Sequence, residues 1–121
     1  MEAFALVSEQ RRLTFRIQVE WPVTLETARG LVECKTKDIS AGGAHIRCTE
    51  HLDLNETVHM TITAPGRDPM NVAAIVIWSD RKDESSRPCV IGVKFTEISA
   101  ANLHYLEQVA LEEFKARLPQ S

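Results

Sequence analysis

The sequence of 121 residues contains no long apolar run, and its cysteines are few and odd in number. Because no stretch approaches the ~20 apolar residues of a membrane-spanning helix, we expect no membrane span. The first residues place an acid ahead of the arginines, the reverse of a secretory signal. Together with the count of three cysteines, the missing export signal predicts a protein of the reducing cytoplasm.

Signatures of catalysis and metal binding are missing as well. The chain has no nucleophile-elbow sequence, no phosphate loop and no metal-binding histidine pair, and its cysteines lack C-x-x-C spacing. We therefore expect no enzyme activity, no metal and no cofactor. With a formal net charge of −3, the protein as a whole does not attract polyanions. Any anion it binds must be held by a local cluster of cations.

Alternation of apolar and polar residues is the strongest pattern that is present. Period two predicts half-buried β-strands, and six short strands with turns between them favour a closed or nearly closed antiparallel barrel. We expect the nearly continuous apolar run 72–78 to be covered on both sides, and Trp21 to be a packing residue. The apolar positions of the other five strands are Ile17, Val19, Trp21, Val23 and Leu25; Val32 and Cys34; Ala44, Ile46 and Cys48; Val58, Met60 and Ile62; Ile91, Val93 and Phe95.

The C-terminal segment changes to a helical period. Ser99 is a good N-cap, and apolar residues recur every three or four positions at Leu103, Leu106, Ala110, Phe114 and Leu118. This spacing predicts one amphipathic helix over 99–118. The expected fold is therefore β-dominated, with a single domain over 1–121. It comprises an N-terminal arm (1–14) that is mobile until a ligand orders it, a six-stranded barrel (15–97) and the helix.

Two short segments are not explained by alternation. Arg11, Arg12 and Arg16 stand close together ahead of the first strand. A guanidinium presents a planar fork of donors that matches phosphate oxygens and the O6 and N7 edge of guanine, and it can lie flat on a purine. The alternative is an ordinary solvated basic stretch.

The second segment is the turn Asp38-Ile39-Ser40-Ala41-Gly42-Gly43. A carboxylate accepts hydrogen bonds from guanine or holds an arginine fork, and a hydroxyl can donate to phosphate. The glycine pair allows a positive φ and a close backbone approach. Taken alone, Asp-x-Ser followed by Gly-Gly is also good turn chemistry without any ligand.

Together, Arg12-x-x-x-Arg16 and Asp38-x-Ser40-x-x-Gly43 resemble the paired signature of the PilZ domain family. The strands around Trp78 and Gly92 also resemble the later strands of that family. The resemblance implies a cyclic di-GMP receptor that catalyses nothing and acts as a ligand-gated adaptor on an unidentified downstream protein. It assigns ligand contacts to Arg12, Arg16, Asp38, Ser40 and Gly43.

Two further site residues follow from the same resemblance. A third arginine directly ahead of the arginine motif goes with two stacked cyclic di-GMP molecules, so Arg11 implies two ligands per chain. Trp78 either stacks on a guanine or packs as a core or lid residue. Two other functions remain open: a PilZ-like scaffold of pilus or motility machinery that binds no ligand, and a barrel for single-stranded nucleic acid. The acidic net charge counts against nucleic acid, and we expect none as a direct partner.

Overall fold

The structure is a computed structural model that describes residues 15–83 and 88–118. The predicted mobile arm (1–14), and with it Arg11 and Arg12, lies outside the described residues. Six antiparallel strands form a closed barrel in the spatial order β1-β2-β3-β6-β5-β4, which confirms the predicted fold class. The strands are β1 Pro22–Thr27, β2 Gly30–Ile39, β3 Gly43–Cys48, β4 Thr57–Ile62, β5 Met70–Ser79 and β6 Cys89–Glu97.

The barrel closes because β1 pairs on one side with β2 and on the other with β4. Side chains that alternate along most of the strands fill the interior, as period two predicts, although Val19 and Val32 are only partly buried. Val23, Leu25, Ile46, Met60 and Ile91 are among its fully buried members.

The first strand begins later than the alternation predicts. Ile17 makes only an isolated bridge to Ile39, and the ladder starts at Pro22. Between Ile17 and Pro22, the side chain of the buried Thr36 makes hydrogen bonds that strand pairing would otherwise supply. The Thr36 hydroxyl accepts from Trp21 N at 2.8 Å and donates to the carbonyl of Val19. Proline has no backbone N–H to donate to a ladder, so it is tolerated as the first residue of a strand, which is the position of Pro22 in β1.

The expectation that the run 72–78 is covered on both sides is wrong at its end. Val72, Ala74 and Val76 are buried, but Ile77 and Trp78 are 56% and 47% exposed. A register irregularity between Val76 and Trp78, where β5 pairs with β6, breaks the alternation. Trp78 therefore faces outward instead of into the barrel.

Helix α1 runs from Ala100 to Ala116 after the barrel, close to the predicted 99–118. Ser99 is its N-cap, with Oγ accepting from Asn102 N at 3.1 Å. Leu106 is buried against the barrel, whereas Leu118 lies beyond the helix and is exposed. The described part of the chain contains no helix whose length and apolar content would let it cross a membrane.

Aromatic contacts fix the position of α1. Trp21 lies beside Tyr105 with ring centroids 6.4 Å apart, so the predicted packing role of Trp21 is confirmed. Phe15 meets Phe114 edge to face at 5.6 Å. The segment ahead of β1 is therefore bound to the barrel at Ile17 and to α1 at Phe15.

Candidate functional site

The turn between β2 and β3 is held by its own serine. The Ser40 side chain is buried, and its Oγ accepts from Gly42 N at 3.3 Å, while Ser40 N donates to Gly43 O at 2.8 Å. These bonds are those of an ordinary serine turn. They leave Asp38, at the end of β2, on the outer surface of the barrel with its carboxylate 16% exposed.

Gly43 is needed for space rather than for an unusual backbone angle. A Cβ at this position would lie 2.2 Å from the backbone oxygen of Val93. The expected close approach is therefore present, because β3 meets β6 at this point. The expected positive φ is wrong: the described glycines with positive φ are Gly30 and Gly66, at other turns.

The two sequence motifs meet at this turn. Reciprocal backbone hydrogen bonds of 2.9 Å between Ile17 and Ile39 place the preceding residue, Arg16, against the carboxylate of Asp38. Arg16 Nε donates to Asp38 Oδ1 at 2.7 Å, and Nη1 lies 3.4 Å from Ser40 Oγ. Residues 22 positions apart thus form one polar cluster.

His45 belongs to the cluster although sequence analysis assigned it no role. It is paired with Asp38 across the β2–β3 ladder, and its Nδ1 lies 2.9 Å from Asp38 Oδ1. The sequence did carry a signal, because His45 sits on the polar face of β3 two positions after Gly43. The irregularity between Thr36 and Asp38, which decides the pairing, has no such signal.

The environment of Asp38 favours its charged form. Partial burial alone would raise the pKa of this carboxyl. Hydrogen bonds from His45 and Arg16, together with the charges of both residues, outweigh burial and hold the pKa below its ordinary value. Asp38 is thus an ionised acceptor at neutral pH, flanked by two donors, Arg16 and His45.

Arg16, Asp38 and Ser40 of this cluster belong to the paired signature that resembles the PilZ domain family, and a comparison over the whole chain agrees. The sequence profile of the PilZ domain matches residues 10–112. The chain belongs to the PilZ domain family. No curated protein matches the sequence.

Solved structures with the PilZ fold resemble the barrel at low sequence identity. The Bacillus subtilis inhibitor of motility MotI/DgrA has a TM-score of 0.72 at 18% identity, over 87% of this chain and 52% of its own. Escherichia coli YcgR in complex with c-di-GMP has a TM-score of 0.69 at 16% identity, over 85% of this chain and 46% of its own. The PilZ domain of YcgR with c-di-GMP has a TM-score of 0.68 at 18% identity, over 89% and 95%. This chain spans about half the length of the first two proteins, and at these identities the likeness concerns the fold.

On the outer face of this PilZ barrel, Trp78 continues the polar cluster. The ladder pairs His45 with Gly92 and Gly92 with Trp78, so the three residues form a row across β3, β6 and β5. The imidazole meets the indole edge to face, with centroids 5.7 Å apart. A Cβ on Gly92 would lie 3.4 Å from an atom of each side chain, an ordinary van der Waals contact, so Gly92 lies directly against the pair. The row offers an exposed indole beside an anionic acceptor.

A groove of the PilZ barrel lies elsewhere and suits a different ligand charge. It has a volume of about 910 Å³ and lies over β1, β4 and β5. Its charged lining residues are Glu26 and Glu97, with His59 between them in sequence. Two carboxylates repel a phosphate, so this groove is a poor anion site. The Arg16–Asp38 cluster instead places a cationic guanidinium beside an ionised carboxylate.

Proposed function

We propose that this PilZ domain is a cyclic di-GMP receptor that binds its ligand without converting it. The observation that carries the proposal is the contact of Arg16 with Asp38 and Ser40, which joins both signature motifs in one site. Solved structures of similar fold include YcgR of Escherichia coli in complex with c-di-GMP. The compartment remains the one predicted from the sequence, the cytoplasm.

The chemistry of the ligand matches the groups at the site. Cyclic di-GMP carries two phosphates and two guanines, and it requires cationic forks, an acceptor for guanine N1–H and N2–H₂, and a flat surface for a base. Arg16 supplies a fork, Asp38 an ionised acceptor, and Trp78 with His45 an exposed aromatic surface. Ser40 and Gly43 shape the turn on which these groups stand.

Arg16 is placed to exchange partners when the ligand arrives. Its side chain is 39% exposed and held mainly through Nε, while Nη1 makes only a long contact of 3.4 Å with Ser40. The guanidinium can therefore turn toward a phosphate while His45 continues to hold Asp38. We propose that Arg12 adds a second fork and that Arg11 covers an outer guanine, so that two stacked ligands bind per chain.

The contact of Phe15 with Phe114 gives a route from the site to the surface. Phe15 directly precedes Arg16 and packs on α1, so a movement of Arg16 toward ligand pulls on the helix contact. We propose that the downstream protein reads the changed arrangement of the arm and α1. Motility, biofilm or exopolysaccharide control is the kind of output expected of such a ligand-gated adaptor.

Calorimetric titration with cyclic di-GMP tests the proposal, with GTP and single-stranded RNA as control ligands. We expect low- to sub-micromolar affinity for cyclic di-GMP and no hydrolysis. Absence of binding heat at about 100 μM ligand, a limit near −5.5 kcal/mol, contradicts the proposal and favours a ligand-free scaffold. Binding of RNA in place of cyclic di-GMP contradicts it in favour of a nucleic-acid barrel.

The variant Arg16→Ala tests the assigned residue against a matched control. Truncating one partner of a charge pair costs about 2–5 kcal/mol of binding free energy. Because Arg16 is partly exposed, we expect a loss at the low end of this range, which is roughly a thirtyfold weaker affinity for cyclic di-GMP. Arg29→Ala is the control, because Arg29 is also exposed and bound to a carboxylate, Glu56 at 3.0 Å. Equal losses in both variants, or unfolding of Arg16→Ala without ligand, contradict the role of Arg16.

A further inference from the structure

Two cysteine thiols meet inside the barrel, at the end of the β2–β3 hairpin opposite to the polar cluster. Cys34 Sγ and Cys48 Sγ are 3.0 Å apart. Lys35 pairs with Arg47 in the ladder, so the next position places Cys34 opposite Cys48. Directly opposed residues of antiparallel strands have Cβ atoms ~4.5–5.5 Å apart, and a disulfide needs ~3.5–4.5 Å. The sulfur atoms have to move by only about 1 Å to reach the ~2.05 Å of an S–S bond.

A third cysteine provides an internal comparison. Cys89 pairs with Cys48 on the other side of β3, in the β3–β6 ladder. All three cysteines are buried, with Cys34 the most exposed at 8% and Cys48 the least at 1%. The sulfur contact of 3.0 Å joins Cys34 and Cys48, and Cys89 interacts electrostatically with Cys48 from the other side of β3.

We propose that Cys34 and Cys48 form an oxidation site, at which hydrogen peroxide closes a disulfide between β2 and β3. The more exposed Cys34 thiolate attacks the peroxide, the O–O bond breaks, and Cys34 becomes a sulfenic acid while hydroxide leaves. Cys48 sulfur then attacks Cys34 sulfur and displaces the sulfenic oxygen, which leaves as water with the Cys48 proton. In total, two thiols and one H₂O₂ give one disulfide and two H₂O.

The surroundings of the two cysteines decide which of them reacts with peroxide first. The hydrogen bond with Cys34 and burial raise the pKa of the Cys48 thiol, so Cys48 stays protonated and is not the first to react. In a reducing compartment the pair stays a dithiol, and the disulfide closes on exposure to oxidant. The bond would join the hairpin at the end of β3, where Cys48 is the last residue and Gly43 the first.

The trypsin map of the wild-type chain distinguishes the possible links. The cysteines fall on three separate peptides, 30–35 with Cys34, 48–67 with Cys48, and 83–94 with Cys89, because trypsin does not cut between Arg87 and Pro88. After treatment with hydrogen peroxide, we expect titratable thiols under denaturing conditions to fall from three to one. Peptides 30–35 and 48–67 should then be linked, and dithiothreitol should separate them.

Thermal unfolding gives a second readout. A cross-link between Cys34 and Cys48, 14 positions apart, restricts the unfolded chain, and we expect the oxidised protein to melt roughly 8–15 °C higher. Cys89→Ala should retain both the link and the shift, whereas Cys34→Ala should lose both. Three thiols that survive peroxide, a link between 48–67 and 83–94, a disulfide between two chains, or over-oxidation to sulfinic acid without a link would each overturn the proposal.

Discussion

The substitution Gly43→Ala is the sharpest test of how the turn is built. The new Cβ would lie 2.2 Å from Val93 O and 3.3 Å from Lys94 Cα, both backbone atoms that cannot rotate away. To reach an ordinary contact, β3 and β6 must separate by about 1 Å where Phe95 N donates to Gly42 O at 2.9 Å. Overpacking costs about 1–3 kcal/mol and a weakened hydrogen bond about 1 kcal/mol more. We therefore expect Gly43→Ala to lose about 2–4 kcal/mol of unfolding free energy.

The adjacent glycine is a matched control for this prediction. A Cβ on Gly42 meets no atom within 4 Å, so Gly42→Ala should be neutral or stabilise by about 0.4–1 kcal/mol through the unfolded chain. Urea unfolding followed by tryptophan fluorescence measures both variants, and Gly43→Ala should also melt roughly 8–15 °C lower. A Gly43→Ala variant within 0.5 kcal/mol of Gly42→Ala would refute the steric argument.

Three further predictions concern the ligand and the charge of the site. Trp78→Ala should weaken cyclic di-GMP binding by about 1–3 kcal/mol, the value of one base stacked on an aromatic ring. The control variant Ile77→Ala changes an exposed neighbour and should leave the affinity unchanged. Equal losses of affinity in the two variants, measured by calorimetry, would contradict stacking on Trp78. Because the pKa of Asp38 is lowered in the folded protein, its stabilising contribution is present above the ordinary value near 3.8 and is lost as pH falls through the folded pKa. Urea unfolding between pH 3 and 7 should therefore show that the unfolding free energy of Asp38→Asn falls less steeply toward acid pH than that of the wild type. An equally steep fall in both proteins speaks against the role of the ion pairs. Titration of Arg11→Leu should reach its endpoint at one ligand per chain instead of two, and a wild-type endpoint of one would already rule out the stacked pair.

The barrel could be predicted from the sequence because burial follows period two in most strands. Val23, Leu25, Met60 and Ile91 lie inside as alternation requires. The errors fall where a local contact outweighs the pattern. Trp21 N and Val19 O bond to the buried side chain of Thr36, and Trp21 O accepts from the backbone N–H of Thr36, in place of a regular ladder. Nothing in the alternation of residues 18–21 reveals that threonine.

The sequence predicted which residues form the candidate site better than it predicted how they contact one another. Arg16, Asp38 and Ser40 come together as their motifs imply. His45 was missed because its contact with Asp38 depends on the register of β2 against β3, which an irregularity shifts. Trp78 turns outward for the same kind of reason, at the irregularity of β5 against β6. Register irregularities insert or remove one position and have no fixed composition, so period counting does not locate them.

The closure of the barrel limits how any partner can recognise this domain. Each strand has a neighbour on both sides, from β1 against β2 round to β4 against β1. None of these six strands is an edge strand, so the barrel disfavours β-augmentation, in which a partner adds a strand of its own to a free sheet edge. Recognition must use side chains on the outer surface, such as the exposed Phe114 on α1. Substitutions on that helix face, rather than in the strands, are therefore the ones to screen for lost signalling with intact ligand binding.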